Sequence, residues 1–195
     1  VLHSLRYLQV AVSEPSPGVP QFVSMEYLDG IPFDRYDSKQ GRTEPQMLWM
    51  AAVVELGYWD RTPRGWDEGL WVSIRLWGSV GLEWVSVGLG HNSIGLHGSN
   101  PTPPGLHTIQ WVCGCDLLSN GSIRGSHQYG CDGWDFISFQ LGSGSFVADG
   151  AAQVTKRYWE TDESWAEDLT NYLGHTCVEW LQKFIGYGQE VLEHK

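Results

Sequence analysis

Basic residues are scarce in this chain. Only 12 lysines and arginines stand against 23 aspartates and glutamates, a formal net charge of −11 over 195 residues, and the few cations form no patch. Surfaces that bind nucleic acid or anionic membranes are built on clustered Lys and Arg, so neither partner is expected. Long hydrophobic runs are also missing: nothing approaches the length that crosses a bilayer, and Val1 opens directly on strand-like sequence without a charged leader and apolar core. Any signal or anchor is therefore expected outside this chain.

Catalytic signatures are missing too. There is no Gly-x-Ser-x-Gly elbow, no phosphate loop and no His-Glu-x-x-His, and Glu160, Asp162 and Glu163 read as a solvated helix turn. Cys113-Gly-Cys115 with His107 or His127 nearby suggests zinc only weakly, because no second closely spaced pair completes four ligands. The expectation is a non-enzyme with no metal and no cofactor.

What is present is a core-forming composition, 42% hydrophobic and 13% aromatic, enough for one domain or two fused halves. The chain repeats itself. "HSLRYLQVAV" at His3 to Val12 is echoed by "HTIQWVCGCD" at His107 to Asp116, and both alternate with the two-residue period of a half-buried strand. "VSMEYLDGIPFDRYD" carries Asp29-Gly30 between two strand-like runs. "SHQYGCDGWDFISF" carries Asp132-Gly133 in the matching place, and both dipeptides favour a tight hairpin because each residue tolerates positive φ. The offsets are 104 and 103 residues. One unit of strand, turn (Ser13 to Gly18, Ser119 to Ser122), hairpin, edge strand and helix is used twice, which predicts a broad antiparallel sheet with helices on one face. The opposite face then requires a protein partner to cover it.

The last third reads as helix. Trp165, Leu169, Tyr172, Leu173, Cys177, Trp180, Leu181, Phe184, Val191 and Leu192 recur at helical spacing. Ser164-Trp165-Ala166-Glu167 fits a capping box at its start, and Thr161-Asp162-Glu163 marks a bend after "AAQVTKRYWE". Four cysteines, Cys113, Cys115, Cys131 and Cys177, allow three full pairings. Alternation puts Cys115 on the strand face shared by Ile109, Trp111 and Cys113. If that face meets the helix, Cys115 reaches Cys177, and the bridge would stabilise the fold by roughly 4 kcal/mol. The alternative is that Cys177 is a small buried hydrophobe. Asn120-Gly121-Ser122 is a glycosylation sequon on a turn.

"HSLRY", "EYLDG", "WMAA" with "GYWD", "HTIQW", "CGCD", "RGSHQYGCDGWDF", "AAQVTKRYWE" and "NYLGHTCVEWLQKFIGYG" stand in one order, and in that order the chain resembles the ligand-platform half of a major histocompatibility complex class I heavy chain. The wording is most similar to an avian member. The resemblance covers Val1 to about Arg61 and Leu106 to Lys195. It implies an α+β fold, an eight-stranded antiparallel sheet topped by two long helices with a groove between them. Residues 1–105 are then the first half of the platform and 106–195 the second. It also implies a cell-surface, extracellular molecule assembled with beta-2 microglobulin, whose immunoglobulin-like domain and membrane anchor lie outside this chain. Such a molecule holds a peptide or lipid-like ligand for T-cell or natural killer cell receptors.

Residue by residue, the Cys115–Cys177 pairing matches the family's bridge. Tyr7, Tyr58 and Tyr172 match tyrosines that hold a peptide's amino end, and Phe184 stands where a fourth tyrosine is usual. Thr155 and Trp159 match the pair that closes the other end, while Tyr158 replaces a lysine that meets the peptide carboxylate, so classical peptide binding is expected to be weak. Without the resemblance, Tyr7 and Tyr172 read as core aromatics. Cys113 and Cys131 occupy places where larger residues are common, either as buried thiols or as part of an enlarged pocket.

One tract departs from the pattern. From Thr62 the chain reads "TPRGWDEGLWVSIRLWGSVGLEWVSVGLGHNSIGLHGSNPTPPG", with nine glycines, each costing about 1 kcal/mol in a helix interior. The first helix is therefore doubtful, and residues 62–105 read as aberrant, frame-shifted or disordered sequence, or as an apolar wall for a lipid-like ligand. The function expected is ligand presentation. The alternative is a groove-less protein-recognition module, or a non-functional splice or frame variant.

Overall fold

In the computed structural model, residues 2–12, 15–47, 49, 108–148, 150, 152–161 and 163–193 are described. The 62–105 tract, the first helix and Tyr58 lie outside these residues, as do the side chains of Tyr158, Val191 and Leu192. Eight strands form one antiparallel sheet: β1 (His3–Val12), β2 (Phe22–Leu28), β3 (Ile31–Asp37), β4 (Arg42–Pro45), β5 (Thr108–Leu117), β6 (Ile123–Cys131), β7 (Trp134–Gln140) and β8 (Ser145–Ala148). Their order is β4-β3-β2-β1-β5-β6-β7-β8. The two repeats thus lie side by side and join through β1 and β5, paired from His3↔Leu117 to Val12↔Thr108.

The duplication extends to single hydrogen bonds. Asp29 and Asp132 both take φ of 51°, each followed by a glycine at positive φ, a conformation that Asp tolerates and Gly prefers. The Asp29 carboxylate accepts from the Ser4 amide at 2.7 Å, and the Asp132 carboxylate accepts from the Thr108 amide at 2.7 Å. Each aspartate amide donates back, to Ser4 O and Thr108 O respectively. Each turn therefore ties its hairpin to the start of its own repeat. A bulge also recurs, between Glu26 and Tyr27 in one hairpin and between Tyr129 and Gly130 in the other.

Alternation sorts the side chains. Leu5, Ala11, Ile109, Trp111, Cys113 and Cys115 are buried on one face. Leu8, Val10 and Val147 are exposed on the other, where register adds Met25, Val23 and Val112. Arg6 pairs with Asp116 at 2.5 Å and Arg35 with Asp37 at 3.0 Å, and alternation sets both pairs on that same outer face. At the seam, Gly114 is paired with Arg6. A Cβ on Gly114 would lie 2.0 Å from the Leu5 carbonyl oxygen, and its φ of 153° disfavours any side chain. Only glycine lets the two halves approach this closely.

The buried face carries a helical rim of α1 (Ala152–Trp159), α2 (Glu163–Asn171), a π-helical turn (Tyr172–Thr176) and α3 (Cys177–Glu193). The first of these helices ends at Trp159 and the second begins at Glu163, so the break falls where the polar run predicts. The start of α2 does not coincide with the capping-box reading: the first helical residue is Glu163, which puts Ser164 inside the first turn.

Candidate functional site

The π turn sets the geometry beneath the rim. In it the Cys177 amide donates to Tyr172 O, a five-residue closure that brings Tyr172 and Cys177 to the same side of the helix. Cys177 is bonded to Cys115 at S–S 2.04 Å, with Cα atoms 6.1 Å apart. Gly125, paired with Cys115, makes room above the sheet: a Cβ there would meet Leu173 Cβ at 2.8 Å. Disulfide and glycine together hold the rim low over the strands. The bridge read from alternation and helical spacing is present in the structure, and Cys113 and Cys131 are free thiols. Burial pushes the Cys113 thiol up to about 12, and burial and neighbouring Asp132 push the Cys131 thiol up to about 12. Neither is a reactive thiolate at neutral pH.

Tyr7 and Tyr172 come together between sheet and rim. They share a hydrogen bond, and burial above all raises the Tyr172 phenol far above its ordinary range. Tyr7 is flanked in register by Cys113 on β5 and by Glu26 on β2. Phe184 is fully buried, with its ring 5.1 Å from Phe33, 6.3 Å from Trp49 and 5.8 Å from Trp180. It packs down from the rim onto Phe33 of the floor as hydrocarbon, where a hydroxyl would need a partner.

At the other end, Thr155 and Trp159 of α1 are both buried. The Trp159 ring lies 5.2 Å from Phe146, 5.6 Å from Tyr129 and 6.3 Å from Trp165, each edge to face. His127 sits in the same cluster, 5.7 Å from Trp111 and 6.0 Å from Trp165. Neither of its ring nitrogens has a hydrogen-bond partner, and burial lowers its pKa to about 3, so the ring is neutral. The indole N–H groups of Trp159 and Trp165 are buried without an acceptor.

Several floor residues carry chemistry that the sequence reading passed over. Glu26 and Asp34 are direct cross-strand partners and both are buried. Burial first, and then the Glu26 carboxyl, hold the Asp34 carboxyl well above the usual range, against a lowering hydrogen bond from the Arg35 backbone. Asp34 Oδ1 and Gln9 Oε1 have no hydrogen-bond partner. Polar residues at strand positions whose parity points inward were the available signal. Glu26 shows it, but the bulge at Phe33 hides the parity of Asp34. No cluster of three metal-ligating side chains occurs among the described residues. The sequon residue Asn120 is exposed in the β5–β6 turn, its side-chain oxygen accepting from the Ser122 amide at 3.0 Å and from the Ser122 hydroxyl at 2.6 Å.

Comparison with known proteins agrees with this architecture. A family model described as Class I Histocompatibility antigen, domains alpha 1 and 2, matches residues 1–68 and 96–192. Residues 69–95, within the glycine- and tryptophan-rich tract, fall outside the match. Over 195 residues and 98% of its length the chain is 36% identical to the Major histocompatibility complex class I-related protein 1 of Rattus norvegicus, covering 51% of that protein. It is 39% identical over 193 residues, again 98% of its length, to the Class I histocompatibility antigen, F10 alpha chain, of Gallus gallus, covering 51% of it. A class I histocompatibility antigen C alpha chain of Saguinus oedipus is 36% identical over 197 residues, with 98% of this chain and 49% of that protein covered. The chain spans about half the length of these relatives.

Proposed function

The chain belongs to the class I histocompatibility antigen family, and from that premise we propose that it is the ligand platform of a cell-surface molecule that presents a small ligand to T-cell or natural killer cell receptors. The observation that carries this reading is the polarity of the face under the rim. A face meant only for packing buries few polar atoms without partners. Between the sheet and the rim, Gln9 Oε1 and Asp34 Oδ1 of the strands and the Trp159 and Trp165 indole N–H groups of the helices are buried in that condition. Such groups are supplied with partners when a ligand lies across them. The ligand is a peptide or a lipid-like molecule.

Beta-2 microglobulin is the partner proposed for the outer sheet face, where Leu8 and Val10 are exposed and continue across the sheet into Met25 and Val23. That apolar strip suits burial by a second protein. An immunoglobulin-like domain and a membrane anchor belong to the remaining half of the molecule. Asn120 is the proposed glycan site, on the strength of an exposed sequon whose serine hydroxyl already contacts the asparagine side chain.

A groove-less recognition module is the second reading, favoured by one observation: the rings of Trp111, His127, Tyr129, Trp159 and Trp165 pack against one another between sheet and rim at one end. The two readings separate in one experiment. The whole heavy chain is expressed with beta-2 microglobulin in cells, purified, and stripped with acid, and the eluate is analysed by mass spectrometry. Defined peptides or lipids absent from a mock purification are the expected result. An empty eluate from a folded, receptor-binding complex would overturn presentation in favour of the module.

A further inference from the structure

His127 is a titratable group sealed where its charge would have no partner. It stands on β6 directly across from Cys113 on β5 and Phe139 on β7, and it is 2% exposed. Its ring lies 5.3 Å from Tyr129, 5.7 Å from Trp111 and 6.0 Å from Trp165 of α2, each edge to face. Neither ring nitrogen has a hydrogen-bond partner, so an imidazolium there would hold two N–H donors with nothing to receive them.

No opposite charge is at hand among the described residues. The titratable neighbours on the sheet are the Cys113 thiol and the Tyr129 phenol, and burial pushes both up, so they stay neutral. Asp116 of β5 and Asp135 of β7 are engaged with Arg6 and Gln128 on the outer face, and Arg124 of β6 is exposed. On the helices Arg157, Glu160, Glu167 and Asp168 are exposed, and Lys156 is paired with Glu160.

A second observation concerns what covers the ring. Trp159 and Trp165 enter this cluster from α1 and α2, and their indole N–H groups are also buried without an acceptor. These helices are only 8 and 9 residues long, and the covalent tie between rim and sheet lies beyond both, at Cys177. Lifting the α1–α2 corner would break ring packing, yet it would give water to three polar side chains and leave the disulfide-held α3 in place.

We infer that His127 is an acid-sensing latch: the neutral ring lets the α1–α2 corner of the rim close over β5–β7, and its protonation in mildly acidic surroundings holds that corner open. The inference goes beyond ligand presentation and stands with either reading of the function. Its sign follows from linkage. Burial, outweighing a contact with the residue's own backbone, keeps the closed ring neutral down to about pH 3, while a hydrated ring takes up a proton near 6.5. Closure is therefore fully favoured above 6.5 and loses ground as pH falls, and between pH 7 and 5 the open form gains roughly 25-fold.

The test uses the whole heavy chain assembled with beta-2 microglobulin, as wild type and as His127→Phe, whose ring takes up no proton. Amide hydrogen exchange is measured at pH 7, 6 and 5 and expressed as protection factors, which removes the intrinsic pH dependence of exchange. A fall of roughly 25-fold in wild type between pH 7 and 5, confined to residues 152–171, is expected, with a change of less than about threefold in His127→Phe. An equal fall in both proteins, no fall in wild type, or a fall shared by β2 and β3 overturns the inference. A second measurement needs no variant. The isotopically labelled His127 imidazole of wild type should keep the resonances of a neutral ring down to pH 5, and a titration midpoint near 6.5 overturns the latch even if the phenylalanine variant fails to fold.

Discussion

Glu26 and Tyr129 occupy the same step of two repeated hairpins, 103 residues apart (129 minus 26), as do their cross-strand partners Asp34 and Ile137 (137 minus 34). The turn, the bulge beside it and the hydrogen bonds back to the first strand of the same repeat are the same in both. One hairpin places a carboxyl pair on the floor and the other places an aromatic ring against an aliphatic chain. The difference teaches that backbone geometry here is carried by a few residues with special requirements, Asp29-Gly30 and Asp132-Gly133 above all. The floor positions are left open to whatever chemistry each half needs. One half is left with acceptors lacking donors, Gln9 and Asp34, and the other with donors lacking acceptors, Trp159 and Trp165.

The strongest way to break the comparison is at the seam that joins the halves. Gly114→Ala forces a Cβ against the Leu5 carbonyl oxygen, and because neither central strand can yield without opening the sheet, a loss on the order of 5 kcal/mol is expected. Chemical denaturation of the assembled protein measures it, and a variant within about 1 kcal/mol of wild type would show that the seam relaxes.

The next effect is confined to the second half. Replacing Cys115 and Cys177 together by alanine releases the 62-residue constraint between strand and rim and is expected to cost roughly 4 kcal/mol on the chain-entropy account. Hydrogen exchange should locate the loosening in the π turn and α3 and leave β2 and β3 protected. Uniform loss of protection would mean that the halves do not differ in this way.

The smallest and sharpest contrast is in pH, where the two halves respond with opposite sign. Asp34 keeps a proton in the folded chain that the unfolded chain releases above pH about 4. Its contribution is therefore complete below that value and declines as pH rises toward its raised folded pKa. His127 stays neutral in the folded chain down to about pH 3, whereas the unfolded ring takes up a proton below about 6.5. Its contribution is complete above 6.5 and declines as pH falls from there toward 3. Each slope is limited to about 1.4 kcal/mol per pH unit. Asp34→Asn should flatten the alkaline side of a stability profile and His127→Phe the acid side; a profile unchanged by either substitution would refute its assignment.

Much of the floor was legible in the sequence. Period-two alternation and the echoed Asp-Gly turns gave the strand pairing within each repeat, because a turn with positive φ at two successive residues accepts few residue types. Helical spacing placed Cys177 inward. The Glu26–Asp34 pair was not legible, since a bulge adds one residue to β3 and breaks the parity from which inward and outward are read. The π turn was hidden for a related reason: Tyr172 and Cys177 are five apart, a spacing that an α-helix would splay and only the longer closure brings together.

Sequence alone therefore determined the repeated unit, its turns, its alternating faces and the family to which the chain belongs, all of which depend on neighbours a few residues apart or on direct likeness. Tertiary structure decided which acids face each other, which ring nitrogens lack partners, and how low the rim lies over Gly125. Those outcomes depend on register across strands and on contact between distant segments. A single inserted residue in a bulge or a π turn changes them while leaving the local pattern almost untouched.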